Sequence, residues 1–198
     1  MIGIHRHAAA RLAQLLVGAL ALALVAACAS TTATLVPSPQ APVCDRGATA
    51  LVLWAPAWRP DQKDVAQREE AAAAGLGNFL AGSPCFARSE IRRIPDLAPS
   101  SVAAEMSAAG PRFDRVVVIG VRELGPVLSL LSSAALVEGG TEVVLQVAEH
   151  APSDATRTRE FVVQWRHGGP GVVKGVASLP ADMQAALVAG LQPVEAAR

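Results

Sequence analysis

Two hydrophobic rhythms run along this chain and divide it into halves. In the first half, short apolar runs alternate with helical stripes. Ala48 to Trp54 is a β-prone run that ends at Ala55-Pro56. Between Pro60 and Ala81, Val65, Ala72, Leu76, Phe79 and Leu80 fall on one helical stripe, with Arg68, Glu69 and Glu70 mostly off it. Pro60 suits a first helical turn, and Gly82-Ser83-Pro84 a stop. Phe86 to Ile94 reads as a polar, alternating strand. A short helix then runs from a Ser100 or Ser101 cap to Ala109, where Gly110-Pro111 ends it. Val116 to Val121 is wholly apolar, the pattern of a strand buried on both faces.

After this the period changes to two. Thr141 to Ala148 sets Val143, Leu145 and Val147 on one face. Glu160 to Arg166 sets Phe161, Val163 and Trp165 on one face and Val162, Gln164 and Arg166 on the other, as in half-exposed antiparallel strands. Pro180 opens a last helix with Met183, Leu187 and Leu191 at four-residue spacing. The order β-α-β-α-β, two further strands and a closing helix predicts an α/β (α+β) two-layer sandwich. Its mixed sheet has about five strands, the first three parallel through right-handed crossovers, with the helices on one face. The Gln164/Arg166 face is then the more exposed one.

The N-terminus follows neither rhythm. His5, Arg6, His7 and Arg11 form a positive stretch, and Leu12 to Ala27 is apolar except for Gln14. About 16 apolar residues fall short of the ~20 that a spanning helix needs. The residues Leu24-Val25-Ala26-Ala27-Cys28 resemble the lipobox of bacterial lipoproteins. That resemblance implies a signal peptide over 1–27, diacylglycerol on the Cys28 sulfur and an acyl chain such as palmitate on its amine. In that family an Asp after the cysteine commonly retains the protein at the inner membrane. Ala29 stands there, so the implied location is the bacterial envelope at the outer membrane, facing the periplasm. Residues 29–43 are small, Thr-rich and then Pro-rich at Pro37, Pro39 and Pro42, without charge. Residues 28–43 are therefore expected to be a flexible lipid-anchored tether, 44–192 the periplasmic domain and 193–198 a tail.

Removing Arg6 and Arg11 with the leader takes the side-chain charge from zero to −2. No Lys/Arg cluster is present to offer nucleic acid a footprint. Two cysteines remain, Cys44 and Cys85, and in an oxidising compartment an even pair reads as a disulfide. Each immediately precedes a predicted strand, and parallel neighbours begin at the same sheet edge, within bonding reach. The element order over residues 45–192 resembles the N-terminal α/β domain of the Tol translocation protein. It is similar too to the lipoprotein activators of penicillin-binding proteins. This implies an accessory or assembly role in the envelope and carries over no residue.

Catalytic patterns fail on inspection. His167-Gly168-Gly169-Pro170-Gly171 resembles the oxyanion-hole segment of α/β-hydrolases related to proline iminopeptidase. That chemistry needs a Gly-x-Ser-x-Gly elbow further along, and the 27 residues after Gly171 contain none. The segment is expected to be a glycine-rich turn. His150 and His167 have no metal-ligand spacing and read as turn residues. Glu69 and Glu70 read as a solvated helix face, and Gly75 and Gly77 as close packing of helix on sheet. No catalytic residue, metal or cofactor is expected.

Two segments keep alternatives open. Trp54, Trp58 and Arg59 follow the first strand, where two indoles and a guanidinium suit a sugar or an acidic group. The ordinary reading is that Trp54 is core and Trp58 covers the helix start. Residues 125–137 hold Leu128, Leu130, Leu131 and Leu136, with no charge between Glu123 and Glu138. They read as an added core helix, as an extension of the flanking strands, or as an apolar contact surface for a partner or lipid. The expected function is that of a non-enzymatic envelope lipoprotein binding another periplasmic or outer-membrane component. The alternative is a module for a small envelope ligand at the tryptophan loop.

Overall fold

A computed structural model describes residues 29–131, 136–170 and 172–192; Cys28, the leader and the tail from 193 lie outside the described residues. Six strands form one mixed sheet: β1 (Ser30–Val36), β2 (Asp45–Pro56), β3 (Phe86–Arg93), β4 (Arg115–Leu131), β5 (Leu136–His150) and β6 (Arg157–Pro170). Their spatial order is β1-β6-β5-β4-β2-β3. β2 pairs in parallel with β3 and β4, and the remaining pairs are antiparallel. Among the described residues three α-helices complete it: α1 (Val65–Gly82), α2 (Pro99–Ala109) and α3 (Leu179–Leu191). This is the expected α/β sandwich on a mixed sheet, with one strand more.

Alternation sorts the apolar side chains into two cores. Val52 and Trp54, Ile119 and Val121, Leu145 and Val147, and Phe161 and Trp165 pack under α1 and α3, where Leu76, Phe79, Met183 and Leu187 meet them. Leu51 and Leu53, with Val116 and Val118, pack under α2 against Val102 and Met106. β2 and the first part of β4 are thus buried on both faces, which is why their sequences lack alternation. β5 and β6 are covered fully on one face only, which gives them a period of two.

The placement of α2 departs from the one-faced arrangement. The β2-α1-β3 crossover steps outward to the sheet edge, whereas β3-α2-β4 steps back across β2. Right-handed crossovers running in opposite directions put their helices on opposite faces. Two further corrections are local. Helix α1 begins at Val65 after Asp64, whose φ is 56°. Pro60 lies instead in a turn closed by the Gln62 N–H on the Arg59 carbonyl at 3.0 Å. Neither Ser100 nor Ser101 caps α2; Ala98 is the cap residue with Pro99 at the first turn.

The expected flexible tether is in part a strand. Ser30–Val36 pairs with β6 from Ser30↔Gly168 to Val36↔Val162. Almost all of β1 is exposed on both faces, so no apolar alternation announces it. The chain then closes the far end of the sheet: the Ala41 carbonyl accepts Arg159 Nη1 at 2.7 Å, and the Val43 N–H bonds the Leu191 carbonyl at 3.0 Å. Cys44 and Cys85 do form a disulfide, with Cα atoms 4.5 Å apart. They stand just before the paired starts of β2 and β3, Asp45↔Phe86.

Close packing at Gly75 is of helix on helix rather than helix on sheet. A Cβ there would meet Met183 Cβ at 2.5 Å and the Pro180 carbonyl at 2.8 Å, whereas one on Gly77 would meet nothing within 4 Å. Gly75→Ala is therefore expected to push α1 off α3 and destabilise the domain by ~1–3 kcal/mol. Gly77→Ala should instead stabilise by about 0.5–1 kcal/mol through helix propensity. Denaturant midpoints of the two variants moving in opposite directions check this.

A candidate ligand groove beside the second helix

One helix of ~10 Å diameter covers about two strands spaced ~4.8 Å apart. On its face α2 covers β2 and β4, and the sheet beyond it stays open. The margin of α2 is a groove of about 320 Å³. Val118 and Ala148 floor it; Leu97, Pro99 and Val102 form one wall, and Gln146, His150, Ala155, Arg157 and Glu160 the other.

Each wall is fixed locally. Asp96 accepts the Ser101 hydroxyl at 2.7 Å and the Ala98 N–H at 2.9 Å. The same bonds, the Ser101 hydroxyl first, hold its carboxyl below the usual carboxylate range. This turn sets Leu97 over the sheet. Opposite, the β5–β6 turn is closed by the Ala151 N–H on the Thr156 carbonyl at 2.8 Å, with Ala155 at φ 59°. Such a left-handed residue costs about 1 kcal/mol or more and persists where its surroundings hold it. Here His150 Nδ1 lies 2.8 Å from the Ala155 carbonyl.

The polar groups of the groove are already satisfied by one another. Arg157 Nη1 meets Glu160 Oε2 at 2.5 Å, and Gln146 Nε2 donates to Glu160 Oε1. The result is an apolar floor beneath a mutually paired polar rim. That suits contact and orientation, and sets no nucleophile beside a base. Among the described residues no group of three or more His, Cys, Asp and Glu could hold a metal. Sequence reading passed over these residues because Leu97, Gln146 and Glu160 come from distant segments. The available signal was Ala148, a small residue among the polar positions of the open face.

The tryptophan loop does not form a clamp. Trp54 is only 4 % exposed in the core, with the Arg93 guanidinium 5.9 Å from its ring centroid. Trp58 packs against the same core, and its Nε1 is buried without an acceptor among the described residues. Arg59 reaches Glu123 at 3.1 Å. A ligand would find no free indole pair here, because the strand end carries Trp54 inward by alternation. His167 is also no turn residue. It lies within β6, with Nδ1 2.7 Å from Thr31 Oγ1. A Cβ on Gly168 would collide with the Gly139 carbonyl, so the glycines serve close strand pairing. His150 ends β5 rather than lying in the turn, and Glu69 pairs with Arg93 at 2.8 Å. The 125–137 segment extends β4 and β5 as a hairpin, with Leu128↔Gly139, Leu130↔Val137 and Leu131↔Leu136 in register.

No family model and no curated protein matches the chain. Several solved structures are similar to it. The PelC dodecamer from Paraburkholderia phytofirmans is 13% identical with a TM-score of 0.44, over 80% of this chain and 95% of that one. A putative neuraminyllactose-binding hemagglutinin homolog from Helicobacter pylori is 11% identical with a TM-score of 0.38, covering 75% and 84%. Lipoprotein GNA1162 from Neisseria meningitidis is 16% identical with a TM-score of 0.36, covering 71% and 95%.

Proposed function

We propose that this chain is a non-enzymatic envelope lipoprotein, cleaved before Cys28 and held by lipid on Cys28 at the periplasmic face of the outer membrane. Its domain docks another envelope component against the open sheet face at the groove beside α2. The groove itself carries the reading: an apolar floor on an uncovered sheet face, rimmed by groups that satisfy one another. The lipobox-like Leu24-Val25-Ala26-Ala27-Cys28 supports the anchor, and the disulfide suits an oxidising compartment. The resemblance in element order to the Tol domain and to penicillin-binding-protein activators points toward an accessory or assembly role.

A second reading has one observation in its favour. A volume of about 320 Å³ falls within the range of small-ligand pockets, so a small apolar envelope ligand could occupy the same groove. A photo-crosslinking amino acid placed at Gln146 or Leu97 in cells separates these readings. A protein occupant gives one discrete adduct from both positions and none from Val188, exposed on α3. Adducts of equal pattern from all three positions would contradict groove docking, and a small-mass adduct would favour the ligand.

A further inference from the structure

The sheet register places the anchor and the apolar hairpin at the same end of the molecule. Ser30 pairs with Gly168, Gly168 with Gly140, and Gly140 with Val127, making one row across β1, β6, β5 and β4. Two residues further along, Pro170, Glu138 and Ser129 form the next row on that side of the sheet. Cys28 is two residues before Ser30, and two residues of chain span at most about 7 Å. That reach is about equal to the distance along a strand from the first row to the second. The opposite end of β6, at Arg157, is roughly 40 Å away. Two residues of chain cannot carry a lipid on Cys28 to that far end.

Beyond the row of Glu138 the paired residues are Leu130 with Val137 and Leu131 with Leu136. The intervening residues, Ser132 to Ala135, add no charge. Two rows project ~7 Å past the last charged row, which matches the ~5–10 Å depth at which amphipathic elements rest in a membrane interface. Depth is limited by the backbone. β2 leaves β4 at Pro56↔Val121, and β6 leaves β5 at Pro170↔Glu138, so the last rows pair only with each other. Their outer N–H and C=O groups need water or headgroups and cannot enter the hydrocarbon core.

A separate observation marks the same end as apolar. Val173 and Val176, which follow β6 and precede α3, are 85% and 46% exposed. Helix α3 ends at the far side, where the Leu191 carbonyl holds Val43 and Cys44, so its start and these valines lie toward the hairpin.

We infer that the end of the β4–β5 hairpin rests in the bilayer interface beside the acylated Cys28, so that the domain meets its membrane at two points. The inference rests on the lipid anchor proposed above. It fixes the orientation of the domain, with strands running away from the membrane and the sheet faces free at the side.

Its test uses the lipidated mature protein in vesicles of phosphatidylethanolamine and phosphatidylglycerol with brominated acyl chains. Leu131→Trp and Leu136→Trp are compared with Ile91→Trp, exposed on β3 and remote from the hairpin. Retention of the melting temperature confirms folding in each variant. Once the emission of Trp54, Trp58 and Trp165 in the unsubstituted protein is subtracted, the expected result is that the introduced indole at either hairpin position is quenched at least twofold more strongly than the one at position 91. Equal quenching in these vesicles, which hold no other protein, with acyl mass present on Cys28, overturns the hairpin contact and leaves the anchor standing; the hairpin would then be free for a protein. Absence of acyl mass on Cys28 overturns the anchor, and with it the two-point attachment.

Discussion

Replacing Cys85 with serine is expected to lower the stability of the domain by about 4 kcal/mol or more. The disulfide closes a separation of 41 residues, and the chain-entropy model assigns a loop of that length about 4 kcal/mol. Cys85 is fully buried, so the new hydroxyl adds a desolvation cost of ~1–3 kcal/mol if it finds no partner. Cys44 is only partly buried, and Cys44→Ser should lose the loop term alone. Denaturant unfolding of both variants checks the order, with Cys85→Ser the weaker. Treating the wild type with reductant should reproduce the Cys44→Ser value. A loss below ~1 kcal/mol in both would show that other contacts already hold the starts of β2 and β3 together.

The second large effect is expected at Arg68, which is 8 % exposed. Its guanidinium donates from Nε to the Lys63 carbonyl at 2.8 Å and from Nη1 to the Leu124 carbonyl at 2.5 Å. The same Nη1 meets Glu123 Oε1 at 3.0 Å. These bonds staple the first turn of α1 to the base of the β4–β5 hairpin. Arg68→Met leaves the Leu124 carbonyl and one carboxylate oxygen of Glu123 short of donors, and removing one partner of a buried pair costs ~3–5 kcal/mol. Glu123 keeps Arg59 at 3.1 Å and Gln62 at 3.1 Å, which places the expected loss toward the lower bound. Arg68→Met with Glu123→Gln should recover part of the loss, since no charge is then stranded. A thermal unfolding cycle over the two single variants and the double variant measures that coupling. Additive losses would mean that Arg68 acts through its packing and the Lys63 and Leu124 carbonyls, without coupling to Glu123.

The case of Arg68 also shows where the sequence stops being informative. On the helical stripe it reads as an outward, solvated residue, and along α1 that is a fair reading. It is buried because β4 runs on past β2 and overhangs the start of α1, a long-range fact with no local trace. β1 escaped notice for a related reason: a strand exposed on both faces needs no alternation, and Thr31, Thr32 and Thr34 suit a tether as well as a strand. The double burial of β2 and β4 was legible as unbroken apolar runs, and so was the single burial of β5 and β6 as period two. The cysteine pairing followed from position, each thiol standing just ahead of a strand expected to be parallel. The face taken by α2 was not legible, since it depends on which way the chain crosses the sheet. The groove was out of reach for the same reason, because its walls exist only once α2 lies over β2 and β4. Trp54 in the core and Trp58 packed against it follow the plainer of the two readings that the sequence allows.

Intact mass spectrometry of the protein extracted from membranes tests the central claim, that a lipid-held envelope protein presents this domain. The predicted chain begins at Cys28 and carries a diacylglyceryl thioether with a further acyl group on its amine, while Cys28→Ala accumulates as the uncleaved precursor. A mature, unlipidated chain cut elsewhere, and equally well formed from Cys28→Ala, would contradict it.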